Sequence, residues 1–282
     1  MTVREFAALV DRDLRQWVRS PTAIISSLLL PFLYLLLFGQ AFNNITGLAA
    51  SLPAASGGGA LSTFSGAPDY YSYFTAGMVG FTLLGTSLFA GANVIFDRRF
   101  GVLKKIVSAP VARDVIFGAR IFSAVVRGLI FGSFVFVIAL AFAHVPGLNG
   151  LTVTASVTPV GALEIVLAMV MLTALFTAIS VAIGFLIEQI DAFFAVINLV
   201  NLPVLFTSSA LFPRTLLPPW LKAASDWNPI SLASNVVREN LFAAAGSYYP
   251  DGPAFYLGVL AIVTVVFGAL TTAAVRWSLR PR

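Results

Sequence analysis

Residues 162–187 read ALEIVLAMVMLTALFTAISVAIGFLI, a long run with one charge, Glu164, near its start. A helix needs about 20 mostly apolar residues to cross roughly 30 Å of hydrocarbon. This stretch exceeds that length and has no polar face, as expected of a segment surrounded by lipid and other helices. Working outward, five more runs of the same kind appear: Ile24–Ala41, Tyr73–Phe96, Ile121–Ala143, Phe193–Phe212 and Phe255–Val275. The chain is 59% hydrophobic and 10% charged over 282 residues, whereas soluble domains carry about 25% charge. The expected fold is an all-α membrane protein of six transmembrane helices, with residues 1–282 forming a single transmembrane domain.

The basic residues sort to one side of these runs. The arm holds Arg4, Arg12, Arg15 and Arg19; residues 98–127 hold Arg98, Arg99, Lys104, Lys105, Arg113, Arg120 and Arg127; the tail holds Arg276, Arg280 and Arg282. Together they are 14 of 17, and only Arg214, Lys222 and Arg238 lie elsewhere. Six spans put the three basic regions on one face, which the positive-inside rule makes cytoplasmic. A multi-pass protein of the plasma membrane with both termini cytoplasmic is therefore expected. The net charge of +5 flanks membrane spans, where anionic lipid attracts it, so lipid and not nucleic acid is the expected partner. With no Cys, disulfides and thiolate metal sites are excluded. The first apolar run follows a polar arm and is too long for a signal-peptide core, so it is expected to be retained as a span.

Three segments are more than tethers. Residues 1–20 form an amphipathic pattern, with Val3, Phe6, Val10, Leu14 and Trp17 on one face and Arg4, Arg12, Arg15 and Arg19 on the other. Such a helix can lie in the membrane interface, and Ser20-Pro21 ends it. Residues 97–112 begin Asp97-Arg98-Arg99-Phe100-Gly101 and carry an apolar stripe of Val102, Leu103, Ile106 and Val107 beside Lys104 and Lys105, stopped by Pro110. A short charged helix with an apolar face suits a soluble protein partner or lies on lipid. Residues 212–250 are too apolar for a free loop. Leu216–Ala224 and Ile230–Phe242 read as two short helices broken at Asn228-Pro229, too short to cross and able to dip in and return as external re-entrant helices. Between the first two spans, Asn43-Asn44 closes the first helix, residues 44–69 read as an external loop, and Tyr70, Tyr71 and Tyr73 read as an interfacial aromatic belt. Gly77, Gly80, Gly85 and Gly91 in the second span allow close helix packing.

No G-x-x-x-x-G-K-[ST] phosphate loop occurs. The single His144 has no ligand neighbours and reads as a loop residue. Carboxylates inside the spans are scarce, which argues against a proton-coupled pump and for an external energy source.

The order of motifs resembles the permease subunits of type-2 ATP-binding-cassette exporters, the branch of daunorubicin-type resistance exporters and nodulation-factor exporters in particular. The resemblance is carried by Arg19-Ser20-Pro21 with Leu30-Pro31-Phe32 and Phe38-Gly39-Gln40-Ala41-Phe42; by Phe96-Asp97-Arg98-Arg99-Phe100-Gly101 through Ser108-Ala109-Pro110-Val111-Ala112-Arg113, where Ala112 replaces a usual Ser; and by Leu211-Phe212-Pro213, Pro218-Pro219-Trp220-Leu221 and Asn228-Pro229-Ile230 through Arg238. It implies a permease that binds no cofactor itself, paired with a second permease, identical or homologous, and two ATP-binding-cassette ATPase subunits that hold ATP and Mg. It implies an ATPase-coupling surface of Asp97, Arg98, Arg99, Gly101, Leu103, Lys104 and Pro110 with Arg12 and Arg15. The first, second and fifth spans would line a translocation path, with Phe38, Phe81, Phe89, Asn93, Asn198 and Asn201 as its candidates. Trp220, Trp227, Asn228, Pro229 and Arg238 would form an external gate. The implied activity is outward movement of an amphipathic drug-like or lipid-like cargo, with no catalytic residue in this chain. A polysaccharide or glycolipid exporter and a secondary transporter are the alternatives; the second would need matched internal repeats.

Overall fold

The computed structural model describes residues 3–50, 64, 66–102, 106, 113–243 and 251–278. Helix α1 (Val3–Val18) is the amphipathic arm. It is followed by α2 (Pro21–Leu33), a π-helical turn at Tyr34–Gly39 and α3 (Gln40–Ala50). Pro31 lies within α2 just before the π turn. Proline lacks an N–H and crowds the carbonyl four residues before it, and the wider π turn begins three residues after it. The helix does not end at Asn43-Asn44 as the sequence suggests. It continues to Ala50, and Asn43 Oδ1 instead accepts the backbone N–H of Tyr71 at 3.0 Å.

The centre of the bundle is α4 (Tyr70–Arg99), capped by Asp69, whose Oδ1 accepts the Ser72 N–H at 2.7 Å. Most of its side chains are buried. Around it stand α5 (Arg113–Phe142), α6 (Pro159–Leu186) and α7 (Ile190–Phe206). Two short helices follow, α8 (Pro219–Asp226) and α9 (Pro229–Leu241), and then α10 (Gly252–Ser278). The contact of α4 with α6 depends on small residues. A Cβ on Gly91 would lie 2.1 Å from the Ser180 carbonyl oxygen, and one on Gly184 would lie 2.5 Å from that of Gly91. At this approach Ser180 Oγ donates to Leu88 O at 2.6 Å and accepts the Gly91 N–H at 3.1 Å, bonding one helix to the other.

Five helices are long and apolar enough to cross a membrane among the described residues: Pro21–Gly47, Tyr70–Arg99, Val115–Phe142, Pro159–Leu186 and Gly252–Ala273. The sixth expected span is shorter. α7 has 17 residues, about 25 Å at 1.5 Å each, and stops three residues beyond Pro203. It starts with Phe193 and Ile197 packed on Ala92 and Ile95 near the last turns of α4. Non-helical residues after it reach the first turn of α4, where the Tyr73 hydroxyl donates to Ser209 O at 2.5 Å and Phe212 O at 3.1 Å. Tyr70 donates to Leu211 O at 3.0 Å. Buried irregular backbone is stable only when its polar groups are satisfied, and these tyrosines do so. Tyr70, Tyr71 and Tyr73 are thus core residues, 4%, 0% and 0% exposed, and not an interfacial belt.

Candidate functional site

The arm and the helix ends form one polar cluster. Asp97, in the last turn of α4, accepts from Arg12 Nη2 at 3.1 Å and from Arg120 Nη2 with the same Oδ2. Arg12 also holds Asp13 at 2.8 Å. Beyond this cluster, α1 runs along α5, with Phe6 edge-on to Phe122 and Trp17 edge-on to Phe131 at centroid distances of 5.7 and 5.6 Å. The apolar face of the arm is therefore turned in part to protein. Two carboxylates beside Arg12 raise its pKa despite burial, the largest opposing influence.

The remaining coupling candidates divide. Arg98 turns inward and donates to Phe185 O at 2.8 Å. Arg99 is exposed, and Arg15 is exposed and, among the described residues, pairs with Asp11 one helical turn away. Gly101 has φ +70°, the left-handed region that glycine enters without strain, so the chain turns sharply away from α4 there. Leu103, Lys104 and Pro110 lie outside the described residues.

Between α1, α2, α4 and α5 lies a cavity of about 420 Å³, within the roughly 300–1,000 Å³ of small-molecule sites. Its walls include Trp17, Leu30, Phe81, Phe89 and Phe131, with Asn93, Asp13, Arg120 and Arg127 toward the polar cluster. Leu30 and Phe89 are half exposed, so the cavity opens sideways between α2 and α4. A second hollow of about 470 Å³ adjoins it, sharing Gln16 and Asn93 and reaching Arg12, Asp97 and Phe100. Three path candidates, Phe81, Phe89 and Asn93, line the first cavity. The other three do not: Phe38 stacks on Tyr34 and Phe42, Asn198 is exposed on α7, and Asn201 is half-buried with an unpartnered Oδ1. Sequence reading missed Trp17, Arg120 and Arg127 as cavity residues. A signal existed for Arg127, an arginine inside an apolar run, and ionisable groups at such positions mark functional surfaces.

At the opposite end, the break at Asn228-Pro229 separates α8 from α9. Asn228 caps α9 by accepting the Ile230 N–H at 2.9 Å, and its amide donates to Val204 O at 2.7 Å and Thr207 Oγ1 at 2.9 Å. Pro229 supplies the first helical residue, where a missing N–H costs nothing. α9 is buried against α4, α6 and α10, while Trp220 and Trp227 are 72% and 70% exposed. Arg238, the fifth gate candidate, is wholly buried. Its Nη2 donates to Ser209 O at 3.0 Å and Tyr73 O at 3.2 Å, completing the satisfaction of the irregular stretch after α7.

A bundle of long apolar helices carrying a tethered amphipathic arm and a laterally open cavity defines a multi-pass membrane protein. Residues 4–242 match the model of the family described as ABC-2 type transporter, and the chain belongs to that family. Its sequence is 30% identical over 238 residues to a protein named "Putative transport permease ycf38" from Porphyra purpurea, covering 84% of this chain and 73% of the relative. Proteins of the same name from Pyropia yezoensis and Cyanophora paradoxa are 29% and 28% identical, with the same coverage. The family is one of transport permeases that work with ATPase subunits.

Proposed function

We propose that this chain is the permease half of an ATP-driven exporter that moves an amphipathic drug-like or lipid-like cargo outward, as in the daunorubicin-type and nodulation-factor exporters it resembles. Two such permeases, identical or paired with a close relative, stand over two separate ATPases that carry ATP and Mg. The permease lies in the plasma membrane with both termini cytoplasmic and crosses six times, α7 and the irregular residues after it making the fifth crossing. Residues 97–112 and the arm meet the ATPases; α8 and α9 form a re-entrant cover on the outer side.

The observation that supports this reading is the junction at Asp97. The residue opens the segment assigned to ATPase contact, and it holds both Arg12 of the arm and Arg120 of α5. The arm and α5 are also two walls of the cavity. A displacement of Asp97 is thereby delivered to both walls through direct ion pairs. Co-reconstitution of the permease with its ATPase in proteoliposomes tests it. ATP should drive a fluorescent amphiphile across the bilayer, and Leu103→Asp should abolish that movement and co-purification, because an unpaired charge at a closed interface costs several kcal/mol. ATP-independent movement, or full transport by Leu103→Asp, would reject the assignment.

A further inference from the structure

The cavity between α1, α2, α4 and α5 has an uncompensated charge. Where it adjoins the second hollow, three guanidinium groups, Arg12, Arg120 and Arg127, meet two carboxylates, Asp13 and Asp97, of which Asp13, Arg120 and Arg127 line the cavity itself. Arg12 and Arg120 are committed to those carboxylates. Arg127 has no acid within ion-pair distance among the described residues; its Nε donates to Ser123 O at 3.3 Å, and Asp13 acts on it only across a longer gap. It lies seven residues beyond Arg120 on α5, about 10 Å deeper at 1.5 Å per residue, on a helix long and apolar enough to span. A cation at that depth needs a counter-charge or water. Below it the walls are aromatic and aliphatic, and Gly85 leaves the space open, with nothing within 4 Å of a Cβ built there.

From this arrangement we infer that the cavity takes an anionic amphiphile from the surrounding leaflet, with a carboxylate or phosphate head on Arg127 and an acyl chain against Trp17, Phe81 and Phe131. In this inference the acyl chain enters through the opening between Leu30 and Phe89, which are exposed on the single chain. Asp13 does not repel the head strongly, since Arg12 already neutralises it at 2.8 Å. The inference deepens the exporter reading and rests on it for calling this molecule a cargo; binding itself requires neither ATPase nor nucleotide.

The test uses Trp17 as reporter in purified full-length permease in neutral detergent, with the other three tryptophans removed as Trp220→Phe, Trp227→Phe and Trp277→Phe. The probes are a bromine-labelled long-chain fatty acid and the bromine-labelled alcohol of the same length. The acid should quench Trp17 at about tenfold lower concentration than the alcohol, the gain of one charge-assisted hydrogen bond. Arg127→Gln should erase that preference while leaving the weaker apolar binding, and Gly85→Leu, filling the space from the other wall, should abolish quenching by both. Equal quenching by acid and alcohol, a preference retained in Arg127→Gln, or quenching unaffected by Gly85→Leu would each overturn the proposal. Binding that behaves as expected but is not followed by ATP-driven movement would leave the site standing and remove the exporter reading alone.

Discussion

The guanidinium carbon of Arg238 lies 3.6 Å from the centre of the Tyr73 ring, and the same arginine donates to the Tyr73 carbonyl. One residue of α9 thus covers the face of a ring on α4 and binds the backbone of the turn beneath it. No carboxylate pairs with Arg238 among the described residues; aromatic face and carbonyl oxygens take that role. Guanidinium suits it because its charge is diffuse and weakly hydrated.

Arg238→Met should therefore destabilise the bundle although it places an apolar residue in a buried site. It removes the guanidinium bonds to the Ser209 and Tyr73 carbonyls, leaving Ser209 O with the Tyr73 hydroxyl as its donor, and a hydrogen bond to a charged group is worth about 1.5–3 kcal/mol. Arg238→Lys should recover only part, lacking the planar fork. Thermal unfolding in detergent checks this; an unchanged midpoint for Arg238→Met would refute the structural role.

Asp97→Asn should loosen the arm. Arg120 is only 5% exposed, and removing one member of a buried ion pair costs about 3–5 kcal/mol. Trypsin should then cut within residues 4–19 faster than in the parent. Asp11→Asn is the control, since the exposed pair of Asp11 with Arg15 is worth about 0.3–0.5 kcal/mol and its loss should leave the cleavage rate unchanged. Equal cleavage of all three proteins would show that Asp97 does not hold the arm.

Gly91→Ala should separate α4 from α6, because the Ser180 backbone cannot retreat as a flexible side-chain tip could. Overpacking of this kind costs about 1–3 kcal/mol. Gly258→Ala, where a Cβ meets nothing within 4 Å, should be neutral or slightly stabilising. The two variants compared by thermal unfolding separate close approach from a general effect of glycine.

Stability should fall as pH rises from about 5 to about 7.5, through Glu239. Burial first, then the neighbouring charges of Glu164 and Asp251, raise its pKa from 4.5 to about 7. Across that interval the folded state holds a proton that the unfolded state has released, so the contribution is complete below the unfolded value and is lost as pH passes the folded one. Glu239→Gln should flatten the dependence. A slope identical in parent and variant would assign it to other groups.

Long apolar runs, the one-sided distribution of Arg and Lys, the amphipathic arm and the helix break at Asn228-Pro229 were all legible in the sequence, because each is a local property. Run length, charge position and proline geometry act within a few residues of where they are written. What the tertiary structure decided depends on residues far apart. Within the run from Phe193 to Phe212, Pro203 marks a kink, but nothing local says that the helix stops at Phe206 and that Tyr73 and Arg238 support the rest. Asp97 reads as a surface acid until Arg12 and Arg120, 85 and 23 positions away, close on it. The cavity has walls from four helices, and that Arg127 lacks an ion pair among the described residues emerges only when Asp13 and Asp97 have been placed against Arg12 and Arg120. Apolar patterning selects helices that cross a membrane; which polar groups meet inside it is settled by how those helices pack.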